Sequence, residues 1–76
     1  MSKVEKVAVL RKLDAAIRRC DHASNMLRMA SDLIAIHDDY ELAEIRIKAA
    51  NAALSSAINK IMEALDKIKA GEKNEQ

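Results

Sequence analysis

Apolar residues recur along this chain at steps of three and four, with one interruption. From Tyr40 onward, Ile47, Leu54, Ile61 and Ile68 keep a seven-residue interval, and Ala43, Ala50, Ala57 and Ala64 follow three residues behind the first four. A heptad of large residue and alanine makes an apolar seam along a long helix, and its alanines admit a neighbouring helix closely. Upstream, Leu10, Leu13, Ile17, Cys20, Ser24, Leu27, Ser31 and Ile34 alternate the same steps, flanked by Val9, Ala16, Ala23 and Ala30. The phase persists through Asp21, His22, Ala23, Ser24 and Asn25, where helix propensity is weakest. One helix is expected there, with a break near Ser24 and three helices in all as the alternative.

Local signals place the ends. Ser2 with Glu5 matches a capping box, so the first helix is expected over about residues 3–36. His37, Asp38 and Asp39 form the turn, and Asp38 with Glu41 makes a second box, starting a helix over about 39–70. Gly71 stands where a left-handed C-cap glycine belongs, Lys67 and Lys69 suit the last turn, and residues 71–76 read as a frayed tail. A turn this short makes the helices antiparallel neighbours, so the fold class is all-α, one helical hairpin over residues 1–76.

The expected register pairs residues whose numbers sum to about 77, which sets large residues against small ones. Ile34, Leu27, Cys20 and Leu13 then oppose Ala43, Ala50, Ala57 and Ala64. Between them Ser31, Ser24, Ile17 and Leu10 meet Ile47, Leu54, Ile61 and Ile68.

This seam uses one stripe per helix, and near the turn each helix carries a second. Met26, Met29, Leu33 and Ile36 form it on the first, and Leu42, Ile45, Ala49 and Ala52 on the second. Continuous apolar stripes of this kind mark association sites. Composition points the same way. A chain of 76 residues seldom buries a core worth more than about 3–5 kcal/mol without staples or self-association. Cys20 is the lone cysteine, so no disulfide can form within the chain. A homodimer forming a four-helix bundle through this turn-proximal stripe is the leading expectation, and a groove there for a foreign protein is the other.

Charge adds segregation without net bias. Residues 1–19 hold six basic against two acidic side chains, net +4, and residues 20–46 hold two against six, net −4. Arg11, Lys12, Arg18 and Arg19 repeat at seven residues along one flank, either a solvated face or a phosphate-contacting one. Asp32, Asp38, Asp39, Glu41 and Glu44 make an acidic tip, explained by capping and solubility or by docking onto a basic partner.

Reactive groupings are weak. Cys20 and His22 point about 200° apart around a helix, so they make no nucleophile–base pair, and Cys20 is expected as a small core thiol. His22, Met26 and Met29 share a face as a soft-metal set, although an interface rim suits them better. Capping accounts for His37, Asp38 and Asp39. No glycine-rich loop, nucleophile elbow or HExxH occurs. The expectation is a non-enzymatic cytoplasmic protein without metal, cofactor or small-molecule substrate, lacking a signal peptide or membrane span. It self-associates and binds another protein as adaptor, inhibitor or assembly subunit. The alternative is an RNA-binding hairpin dimer using the basic flank.

Overall fold

The computed structural model describes residues 4–74. Two helices, α1 (Lys6–His37) and α2 (Tyr40–Asn74), lie antiparallel as a hairpin 59 × 14 × 12 Å in extent. α1 runs unbroken through Ser24, because Ala23 lies buried against α2 in the middle of the weak stretch. Tertiary burial overrides the local propensity there.

Alanine occupies the centre of the helix contact on both sides. Val9, Ala16, Ala23 and Ala30 of α1 are at most 8% exposed, and Ala43, Ala50, Ala57 and Ala64 of α2 at most 2%. The alanine row of α2 is the expected one, but its heptad companions Tyr40, Ile47, Leu54 and Ile61, expected beside it in the seam, are 40–63% exposed, and α1 presents a different line. Leu13, Cys20 and Leu27, expected in the seam, are exposed, and the four supposed flanking residues take their place. At about 100° per residue this turns α1 by roughly 70° about its axis. The physical reason is close approach. Two rows of methyl groups at matching intervals interleave and bring the backbones together, whereas a leucine set against an alanine holds them apart.

The register shifts too. Lys12 meets Glu63, Arg19 meets Ser56 and Val4 meets Gly71, so opposed numbers sum to 75 instead of 77. Gly71 belongs to this arrangement as the fifth member of the small-residue row. It is buried inside α2 without positive φ, so it does not cap the helix, which continues to Asn74. A Cβ on it would lie 2.5 Å from Val4 Cγ2 and 2.7 Å from Val4 Cα, so the glycine admits the segment leading into α1.

The turn is tighter than expected. Asp38 takes the left-handed conformation (φ 49°, ψ 30°) that ends α1, and its N–H returns to the Leu33 carbonyl. The Asp39 N–H reaches the same oxygen at 2.9 Å. Because Asp38 is occupied in this way, Asp39 caps α2, its Oδ1 accepting from the Leu42 N–H at 3.0 Å. The expected Asp38–Glu41 box is therefore displaced by one residue. At the other end α1 begins at Lys6 behind Glu5, whose side chain makes no capping bond, and Ser2 lies outside the described residues.

An alanine seam is intolerant of added volume. Ala50→Leu is expected to cost about 1–3 kcal/mol in thermal unfolding, whereas Ala52→Leu, on the exposed side of α2, should stay within about 0.5 kcal/mol. Equal effects of the two changes would contradict the alanine-centred contact.

Candidate interaction surfaces

The alanine seam divides the hairpin into two long faces. On the first, the large residues displaced from the seam stand in parallel rows. Leu13, Ile17 and Leu27 of α1 and Ile47, Leu54, Ile58 and Ile61 of α2 are 40–59% exposed. Leu10, Cys20, Ser24 and Ser31 extend the α1 side, and Tyr40, Leu65 and Ile68 the α2 side. None of these positions carries a charge. Leu13, Ile17, Cys20 and Ile61 surround a shallow, largely apolar depression with Ala16 at its floor and Asp21 at its edge.

The second face is polar toward the chain ends and apolar toward the turn. Lys12 Nζ donates to Glu63 Oε1 at 3.2 Å, and Lys60 approaches the other oxygen of Glu63 at 3.5 Å. One turn further, Arg19 Nε donates to Ser56 Oγ at 2.6 Å and its Nη1 to the Ala15 carbonyl. These bonds clamp the helices beside the seam. The hydrogen bond from Lys12 holds the Glu63 carboxyl below its ordinary value, Lys60 adds to the effect, and desolvation opposes it.

The basic flank is only partly available. Lys12 and Arg19 are engaged across the hairpin, and Arg18 pairs with Asp14 on its own helix at 3.0 Å. Arg11 instead joins Lys12, Lys60 and Lys67 around a depression that also touches Ala8 and Ala15. Lys60 escaped the sequence reading and Lys67 was read only as a last-turn cation, because only the antiparallel register brings them beside Arg11.

Near the turn, Met29, Asp32, Leu33, His37, Leu42 and Arg46 line a smaller depression of 230 Å³. Four of the eight residues in the expected second stripe, Met26, Leu33, Leu42 and Ala49, are half-buried, while Met29, Ile36, Ile45 and Ala52 are exposed. Arg46 was not singled out from the sequence, yet its Nε is buried with no hydrogen-bond partner. Of the acidic tip, Asp39 is absorbed by capping and Asp38 by the turn, and Glu44 pairs with Lys48 at 3.1 Å. Asp32 and Glu41 are exposed around them.

Cys20 is an exposed free thiol, so the expectation of a core thiol is corrected. Turning α1 toward its alanines carries the cysteine out onto the apolar face. Among the described residues no three His, Cys, Asp or Glu side chains gather as a metal site, and no helix is long and apolar enough to cross a membrane. Neither a protein-family model, a curated protein nor a solved structure matches this chain.

The lowered Glu63 value has a defined sign. A carboxylate depressed in the folded state contributes stability above its unfolded value of about 4.3 that is lost as pH falls through the folded value. The parent should therefore melt slightly above Glu63→Gln at neutral pH, and the two should converge under acid conditions. A difference independent of pH would contradict the role given to the Lys12 bond.

Proposed function

We propose that this chain is a non-enzymatic helical hairpin that pairs with itself as a four-helix bundle and acts by binding another protein. The observation that carries the reading is the mainly apolar face beside the alanine seam. Its large side chains are half exposed in the hairpin because the seam itself contains only small ones. A helix pair whose large apolar side chains stand half exposed on one face is suited to form one layer of a two-layer structure.

Self-association through that face leaves the turn-proximal depression for the protein partner. Met29, Leu33 and Leu42 offer apolar contact, and the buried Arg46 Nε offers a donor to a carbonyl or carboxylate of a bound segment. Exposed Asp32 on its lining favours a partner with a basic residue at its rim. An adaptor, an inhibitor and an assembly subunit all work through a surface of this kind.

The cation-lined depression at Arg11, Lys12, Lys60 and Lys67 supports the nucleic-acid alternative. Two observations count against it. Glu63 pairs with both Lys12 and Lys60, and the chain offers no Phe or Trp for base stacking.

Affinity capture from the native host, run beside sedimentation, tests the proposal. The parent is expected to sediment as a dimer at tens of micromolar and to retain a protein that Arg46→Glu loses without loss of the dimer. A monomeric parent would overturn the self-association. Capture of nucleic acid instead, abolished by Arg11→Glu with Lys67→Glu, would transfer the function to the basic depression.

A further inference from the structure

We propose that a second copy of this chain covers the apolar face with its turn lying at the open end of the first, so that α1 rests beside α1 and α2 beside α2. This rests on the self-association reading and adds the face and the orientation.

Area identifies the occupant. A compact folded monomer of 8.4 kDa exposes about 4,600 Å², whereas this hairpin exposes 5828 Å². The excess of about 1,200 Å² per chain exceeds the roughly 800 Å² per partner that a standard stable interface buries. A partner layer of the same length and the same mainly apolar character, with Asp21 and Glu44 at its edges, is available in a second hairpin.

Side-chain size chooses the orientation. In a four-helix bundle, Leu13, Cys20, Leu27 and Ile34 point with Ile47, Leu54 and Ile61 toward the bundle axis. The next row around α1, Leu10, Ile17, Ser24 and Ser31, meets the neighbouring layer. With the turns at opposite ends, Leu10 faces Ser31 of the second copy and Ile17 faces its Ser24, so large meets small along the whole length. The register within each hairpin then sets α2 as well, placing Asn51 against Ile58 and Glu44 beside Leu65. Leu27 of the second copy arrives over the depression between Leu13, Ile17 and Ile61.

With the turns at the same end, α1 would lie beside α2 of the second copy. Leu10 and Ile17 would then crowd Leu65 and Ile58 at the open end, while Ser24 and Ser31 met Asn51 and Glu44 near the turn. Such a pair splays at one end and gapes at the other.

Charge favours the same choice. Opposed turns bring residues 22–40, with Arg28 against Asp32, Asp38 and Asp39, over the basic first half of α1 in the other copy. At the rim, Asp14 falls beside Arg28 of the second copy and Glu41 beside Lys69. The same-end arrangement sets Arg28 beside Lys48 and stacks the two acidic turns together. One like-charged meeting remains in the preferred arrangement, Asp21 with its own copy at the two-fold axis.

Distances between spin labels decide the matter on the full chain. Cys20→Ser with Ala35→Cys, labelled at the exposed position 35 near the turn, is expected to show about 45 Å between copies at 1.5 Å per residue. Cys20→Ser with Lys67→Cys, labelled off the proposed contact near the open end, should show about 40 Å. A separation near 20 Å in both would overturn the orientation and leave self-association standing. No interchain distance in a helical, monomeric sample of either variant and of the parent would remove the second copy altogether.

Discussion

Alanine against alanine is the contact on which this molecule depends. Eight small side chains at seven-residue intervals, four from each helix, hold the hairpin together with Val9 as the largest of them. Their contribution comes from close backbone approach and many short dispersion contacts, because an alanine brings little apolar area of its own. Every larger aliphatic residue is consequently displaced to a flank. Gly71 carries the same logic to the end of α2, where even a methyl group would strike Val4.

The two flanks that result are chemically unlike. On one, Lys12, Glu63, Arg19 and Ser56 close over the seam as a polar clamp. On the other, leucines and isoleucines stand half exposed along the helices, with Asp21 at the edge of their depression. The clamp is bifunctional in effect, since it fixes the register and also marks which side faces water. The apolar flank is the side on which the proposed second copy would lie. The turn adds its own economy, with two consecutive aspartates ending one helix and starting the next in opposite roles.

The hairpin, its two helices and the buried alanines of α2 were legible because heptad spacing is a strong signal over more than thirty residues. The face of α1 was not. That helix has two apolar lines about 70° apart, and periodicity alone ranks the line with leucines above the line with alanines. Close packing reverses the ranking, and Cys20 moves with it from core to surface. The cap was misplaced by one residue for a related reason. Asp38 and Asp39 both have capping chemistry, and only the left-handed backbone at Asp38 distinguishes them. Arg46 and Lys60 were missed, and Lys67 was read only as a last-turn cation, because their settings arise from contacts across the hairpin. The turn-proximal stripe was readable, yet it is the shorter of the two apolar surfaces.

Reactivity of the Cys20 thiol, followed with a small disulfide reagent across a range of protein concentrations, tests the central claim most directly. The thiol lies on the face that the alanine seam leaves open. The account predicts rapid reaction in dilute solution, where the hairpin stands alone, and progressive protection as concentration rises and a second layer covers the face. Protection at every dilution of a monomeric sample would put Cys20 inside the intramolecular seam and contradict the alanine-centred contact. Rapid reaction at every concentration would show that nothing covers the face.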